Sequence, residues 1–212
     1  MEQHSFDLHI HSFYSSDCKS HPKDIIKQAV KMNLTGIAIT DHDSTEFHHH
    51  NYKHEGLIIL PGVEVSTKSG HIIALGVKDS IEKKMTVEET VEKIHDLNGL
   101  PIASHPFDFT RKGIGKKIYT LKNIAVETLN GSSPFDYFNN KANKWASQNN
   151  LPVTGGSDAH RIQEIGMAYT VFEEEVTNID EVIEQIKKRK SKTYGTHLSL
   201  SEKFIRAFQI HF

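Results

Sequence analysis

Cysteine is nearly absent from this chain: Cys18 is the single one in 212 residues. It has no partner for an internal disulfide or a thiolate metal site, which fits a reducing compartment, so any bound metal must take nitrogen and oxygen ligands. Long apolar runs are missing too, since no stretch nears the roughly 18 residues that a membrane-spanning helix needs. The opening residues, Met1 to Asp7, lack a basic region followed by an apolar run and a small-residue cleavage site, so neither export nor a transit peptide is expected. From these absences we expect a soluble, cytoplasmic protein with no membrane partner. Nor is there an excess of charge of one sign: 25 Lys and Arg against 27 Asp and Glu leave a formal net charge of -2. That balance provides no general attraction for polyanions, and a phosphate or nucleic-acid contact would need a local basic patch. Repeats, long linkers and low-complexity tracts are also lacking, and the length suits a single α/β domain over residues 1–212.

Histidine is what the chain has in quantity, with 15 copies. A neutral imidazole is the commonest metal ligand, so their positions matter. Short β-rich runs at Phe6–Ile10, Gly36–Thr40, Leu57–Val65, His71–Val77, Leu100–Ser104, Asn123–Glu127, Pro152–Gly156 and Ala168–Phe172 alternate with polar, helix-patterned segments. Such alternation predicts parallel strands with helical crossovers. Pro22 opens a helix whose Ile25, Ile26, Ala29 and Val30 share a face and which ends near Asn33. Thr86 with Glu89, and Asn178 with Glu181, form capping-box patterns ahead of apolar helix faces. A further amphipathic helix is expected over Phe135–Gln148, with Trp145 packed against a strand, and polar loops over Val77–Met85 and Asp108–Lys117.

The strand ends carry the chemistry. His9 and His11 alternate along the first strand and so share a face. Asp17 lies in the following Ser-rich loop, His42 just after the second strand, and Glu64 at the end of the third. His105 directly follows Leu100–Ser104, and Asp158 with His160 follows Pro152–Gly156. In parallel α/β architectures the carboxyl ends of strands face one mouth, so these residues can converge. His71 is the exception, since it begins its strand. One histidine at a strand end is more often a hydrogen-bonded packing residue than a ligand. Six such histidines with three carboxylates are not explained as independent packing residues.

Five blocks, Asp7-Leu8-His9-Ile10-His11, Thr40-Asp41-His42-Asp43, Pro61-Gly62-Val63-Glu64, Ser104-His105-Pro106 and Gly156-Ser157-Asp158-Ala159-His160, occur in this order. Through them, from about Phe6 to Phe172, the chain resembles the PHP family, the polymerase and histidinol phosphatase superfamily. The resemblance implies a distorted (β/α)7-type barrel holding two or three divalent metal ions: manganese, iron or zinc. Carried over by motif, His9, His11, Glu64 and Asp158 would hold one metal; Asp17, His42 and His160 a second; and Glu64, His71 and His105 a third, with Glu64 bridging. Asp158, His160 and Glu64 would act in catalysis through a hydroxide held by the metals. Arg111 and Lys112, in the loop after His105, and Arg161, beside His160, are candidates to hold a substrate phosphate. Glu127 and Asn130, at the next strand end, are expected to orient a ligand imidazole or touch substrate.

The implied activity is hydrolysis of phosphomonoesters of small molecules or nucleotides, with 5'-end exonuclease activity on short oligonucleotides as its neighbour. Two readings from other classes compete: a metal-dependent amidohydrolase, which also begins with a His-X-His strand, and a non-catalytic metal-binding regulatory module. Glu64 together with Asp158-Ala159-His160 favours the phosphoesterase. Cys18 is expected to be a small packing residue, and His48, His49, His50 and His54 to face solvent. His4, His21, His95, His197 and His211 receive no role.

Overall fold

A computed structural model describes residues 4–198; the two ends of the expected domain, His211 among them, lie outside the described residues. Strands β1 (His4–Ile10), β2 (Gly36–Ile39), β3 (Ile58–Thr67), β4 (Gly70–Leu75), β5 (Leu100–Ala103), β6 (Ala125–Asn130), β7 (Val153–Gly156), β8 (Ala168–Phe172) and β9 (Ser191–Gly195) form one sheet. Helices α1 (Pro22–Lys31), α2 (Glu46–His49), α3 (Val87–Asp96), α4 (Asp136–Gln148) and α5 (Ile179–Lys187) punctuate it. The order across the sheet is β7-β6-β5-β4-β3-β2-β1-β8-β9. It curls until the end of β7 meets β1: Asp158 N–H donates to His9 O at 2.7 Å and His11 N–H to Ala159 O at 3.0 Å. The result is the nearly closed α/β barrel that the motif blocks implied.

The strands are not all parallel, as their alternation with helices had suggested. Pairs β3/β4, β4/β5, β1/β8 and β8/β9 are antiparallel. Between β3 and β4 only Lys68 and Ser69 intervene, too short for a crossover and right for a hairpin. This reversal explains His71: the start of β4 lies beside the end of β3, with His71 paired to Ser66. The missed strand β9 adds to β8 through Lys192 and Tyr194, whose polar character hides it in the sequence.

Alternation along the strands divides the barrel interior into two ends. Ile58 and Leu60 precede Glu64 on one face of β3, and Ile73 and Leu75 follow His71 on β4. The apolar members join Phe6, Leu8, Ile102 and Ala125 in an inner cluster completed by Val182, Ile183 and Ile186 of α5. Helix α5 therefore plugs the barrel at the far end of β4, where Gly76 lies against Ile179 and Ile183. The polar members collect at the opposite mouth. Outside the barrel, Ile25, Ile26 and Ala29 of α1 pack on Ile37 and Ile39, while α3 and α4 cover β3 to β6.

Thr86 and Glu89 form the expected reciprocal cap on α3. Asn178 caps α5 through the Glu181 N–H at 3.0 Å, but the Glu181 carboxylate turns to Thr177 instead. Trp145 is partly buried against the cluster under α3 and α4, edge-on to Tyr119. His48 departs from its expected solvent exposure. Its Nε2 lies 2.9 Å from Gly62 O and 3.2 Å from Ile39 O, so it ties the ends of β2 and β3 together, and burial lowers its pKa. His49, His50 and His54 are exposed, as expected.

Candidate metal centre

Glu64, on β3, is the hub of the mouth. Its Oε2 lies 3.3 Å from His9 Nε2, 3.3 Å from His11 Nε2 and 3.2 Å from His42 Nδ1. Its Oε1 lies 3.3 Å from His71 Nδ1 and 3.1 Å from His105 Nε2. One buried carboxylate thus faces five imidazoles. Asp158 closes the cluster, with Oδ1 3.3 Å from His11 Nε2 and 3.6 Å from His9 Nε2. Asp17, half exposed at the rim, meets His160 at 3.2 Å and His42 at 3.5 Å.

All nine residues named from the sequence meet here, though their grouping is less tidy than the motif suggested. Ligand atoms of His9, His11 and Glu64 gather in one place, those of His11, Asp17, His42 and His160 in a second, and those of His42, Glu64 and His71 in a third. His105 groups with His9 and Asp158. Shared imidazoles reflect how tightly the strand ends converge: the Nε2 atoms of His9 and His11 are only 3.2 Å apart.

Local backbone choices produce this convergence. Gly156 lets β7 approach β1, because a Cβ there would stand 2.4 Å from His9 Cβ. His105 and Asp158 both have positive φ, 30° and 52°. Non-glycine residues in that region persist where the surroundings over-determine them, commonly at functional sites. Asp7, buried on β1, accepts from Ser157 N–H and Gly166 N–H at 2.9 Å each, which pins the Asp158 bend to β1.

The donor set fits divalent cations. His9 Nδ1–H donates to Glu127 Oε1 at 2.8 Å, leaving Nε2 to face Glu64, Asp158 and His11. His160 Nδ1–H donates to Asp158 O at 3.0 Å, leaving Nε2 opposite Asp17 Oδ2. In these tautomers bare lone pairs converge, and a cation between them satisfies both sides. Five buried atoms of the cluster, His42 Nδ1, Glu64 Oε2, His71 Nδ1, His105 Nδ1 and Asp158 Oδ1, have no hydrogen-bond partner among the described residues. Buried polar atoms are seldom left so.

The electrostatics ask for positive charge at the same place. Burial opposes charge on His9, yet Asp158, Glu127 and Glu64 outweigh it and hold its pKa well above the ordinary histidine value. Burial likewise pushes Glu64 and Asp158 up. The charges of His9, His71 and His42 around Glu64, and of Arg111 and His9 around Asp158, hold both well below the carboxylate range. His160 moves the other way, to about 4, through burial and the neighbouring His11.

Of the outer residues, Glu127 and Asn130 hold the cluster from behind. Glu127 Oε2 accepts from His105 N–H at 2.7 Å and from Asn130 Nδ2 at 2.9 Å, and the same Nδ2 lies 3.1 Å from Asp158 Oδ2. Arg111 reaches the centre, its Nε–H donating to Asp158 Oδ2 at 2.6 Å. Lys112 is exposed, and its carbonyl accepts from His71 N–H at 3.1 Å. Arg161 sits next to His160, its N–H 3.2 Å from Glu164 Oε2.

Three further supports were not named from the sequence. Asp41 accepts from Ser12 N–H and Ser12 Oγ–H, shaping the loop that carries Asp17. Ser15 Oγ accepts from His42 N–H and donates to Asp17 Oδ1. Buried Asp108 accepts from Thr110 N–H and Ser133 Oγ–H, fixing the turn from which Arg111 extends. Asp41 stands inside the Thr-Asp-His-Asp block, a signal that could have found it; Asp108 and Ser133 had none.

Comparisons with known proteins bear on the family and the fold. A family model described as PHP-associated matches residues 136–191. An uncharacterized protein of Methanocaldococcus jannaschii is 36% identical over 137 residues, covering 58% of this chain and 80% of that protein. A probable histidinol-phosphatase of Thermotoga maritima is 27% identical over 223 residues, covering 86% of this chain and 91% of the relative. Among solved structures, a two-domain protein of Bacteroides vulgatus containing a predicted PHP-like metal-dependent phosphoesterase superposes with a TM-score of 0.73 at 18% identity. That match covers 92% of this chain but 65% of the two-domain protein.

Proposed function

Because this chain belongs to the PHP family, we propose that it hydrolyses phosphomonoesters of small molecules or nucleotides, with cleavage at the 5' end of short oligonucleotides as an extension of the same chemistry. The observation that carries this reading is the buried carboxylate of Glu64, faced by five imidazoles at 3.1–3.3 Å.

In the proposal His9, His11, Asp17, His42, Glu64, His71, His105, Asp158 and His160 hold two or three divalent ions, with manganese, iron and zinc all suited to nitrogen and oxygen ligands. Bound there, such ions acidify water and neutralise phosphoryl oxygens. The chain's own residues arrange the rest. Glu64 and Asp158 stay ionised and balance the cation charge. Glu127 keeps the His9 proton on Nδ1, so that Nε2 is free to ligate. His160, with its pKa near 4, stays neutral at working pH. Arg111 uses one N–H on Asp158 and retains four more guanidinium donors. Its side chain is 21% exposed, enough to present some of them to a phosphate oxygen at the mouth. Lys112 and Arg161 are the further candidates for that contact.

The test is phosphate release by purified protein, stripped with a chelator and reloaded with manganese. The substrates are nucleoside monophosphates, a nucleoside 3',5'-bisphosphate, histidinol phosphate and 5'-phosphorylated oligonucleotides, with cyclic amides beside them. Metal-dependent phosphate release that drops to background in His42→Ala and Asp158→Ala is the expected result. Amide cleavage without phosphate release would move the protein to the amidohydrolase class; metal binding without turnover of either would make it a binding module.

A further inference from the structure

Helix α4 buries Phe138, Asn139, Ala142 and Ala146. Its opposite stripe, Tyr137, Asn140, Lys141, Lys144, Trp145 and Gln148, has the helical spacing of a second face, and that face is aromatic and basic. With Phe107 and Tyr119 it lines a groove of about 460 Å³. Tyr137 is 63% exposed and Tyr119 49%. The Lys141 ammonium stands 4.6 Å from the Phe107 ring centre and 5.8 Å from that of Tyr137. Among the described residues no carboxylate lines the groove. Lys117, on the Tyr119 turn, is paired with Glu88, whereas Lys141 and Lys144 have no acidic partner among the described residues.

We propose that this groove binds the bases and backbone of a single-stranded oligonucleotide whose end lies in the metal centre. The inference rests on the phosphoesterase reading and adds to it a subsite that selects the oligonucleotide from among its substrates. Charge complementarity selects the occupant: exposed aromatic faces interleaved with unpaired lysines match a strand whose bases stack while its phosphates seek cations. The side-chain amides of Asn140 and Gln148 add donors and acceptors for base edges. Position ties the groove to the chemistry. Phe107, one wall of it, is two residues beyond His105, placing their Cα atoms within about 7–8 Å. A mononucleotide seated at the metals would not extend far along this face; a longer strand would.

Trp145 is the one tryptophan in the chain and lines the groove, so its fluorescence reports occupancy independently of turnover. We would titrate 5'-phosphorylated ribo- and deoxyribo-hexamers into the full-length protein while following Trp145 emission, then measure hexamer and mononucleotide hydrolysis. Saturable quenching is expected, with the tighter hexamer naming the sugar. Tyr137→Ala combined with Lys141→Ala should raise Kd and the hexamer KM about tenfold or more. Neither kcat nor mononucleotide turnover should change, and Tyr137→Phe should restore much of the binding. Both positions are at the surface, so folding is preserved, and thermal melting checks it. Hexamer binding and KM unaltered in the double variant would overturn the proposal, as would Trp145 emission that responds to protein concentration alone, the mark of a second copy in the groove. Groove-dependent quenching without hydrolysis would retain the subsite and reject the phosphoesterase reading; hydrolysis with neutral variants would do the reverse.

Discussion

Glu127 shows at the scale of one side chain how this centre is held. Its two oxygens accept from His9 Nδ1–H, His105 N–H and Asn130 Nδ2–H, so one buried carboxylate sets the tautomer of one imidazole and the backbone of another. Glu127→Gln keeps the volume but turns an amide donor toward those donors. We expect metal affinity to fall about 10- to 100-fold, as for other groups that orient ligating histidines. The mismatch should also cost roughly 1–3 kcal/mol of stability. A chelator competition titration alongside a thermal melt reads both, and wild-type affinity in the variant would remove Glu127 from the centre. This role was expected from position alone, because Glu127 falls at a strand end. Nothing in the sequence showed that it serves His9 and His105 at once, since those residues are 118 and 22 positions away.

Two elements make predictions of their own. The first is the close approach of β7 to β1. Gly156→Ala would place a methyl group 2.4 Å from His9 Cβ and 2.7 Å from His9 N, atoms that cannot retreat without moving β1. The variant should lose metal binding together with stability, whereas Gly56→Ala, at a loop position with open space but φ of 81°, should lose only stability; equilibrium dialysis and melting separate the two. The second element is α2, anchored by His48 between the carbonyls of β2 and β3. Burial lowers the His48 pKa, so the folded protein holds it neutral while the unfolded chain protonates near the ordinary value of about 6.5. Its contribution is therefore complete above that pH and is lost as pH falls. The stability difference between wild type and His48→Gln should narrow between pH 7 and pH 5, and a difference independent of pH would refute the assignment. The sequence placed His48 in solvent because four histidines in a polar stretch carry no period that marks one of them as inward. Only the packing of α2 on the strand ends selects it.

Across the whole molecule, the barrel concentrates two buried carboxylates, Glu64 and Asp158, and six imidazoles at one mouth, with five unpartnered polar atoms among them. Cation binding to the folded state alone should stabilise the protein by roughly 2.7 kcal/mol at a hundred times Kd. For a chain of this size that corresponds to a rise in Tm of about 5–10 °C. Calorimetry of chelator-stripped protein with and without manganese or zinc tests this, and an unchanged Tm at saturating metal would argue against a built site. Among the described residues no helix is long and apolar enough to cross a membrane, in keeping with the lack of long apolar runs in the sequence.

Sequence alone marked the candidate ligands and most of the elements, because strand alternation, helix caps and short motif blocks are local properties that neighbouring residues carry with them. The nine candidate ligands could be named from the sequence for that reason. Direction and partnership were decided only in three dimensions. Whether β4 runs with β3 or against it depends on a two-residue turn, and that reversal brings His71 to the mouth. Which imidazoles share Glu64, where Arg111 docks, and how α4 presents a second face against Phe107 and Tyr119 depend on contacts between residues far apart in the chain. Those contacts arise when the barrel closes through Gly156 and His9, and no local pattern records them.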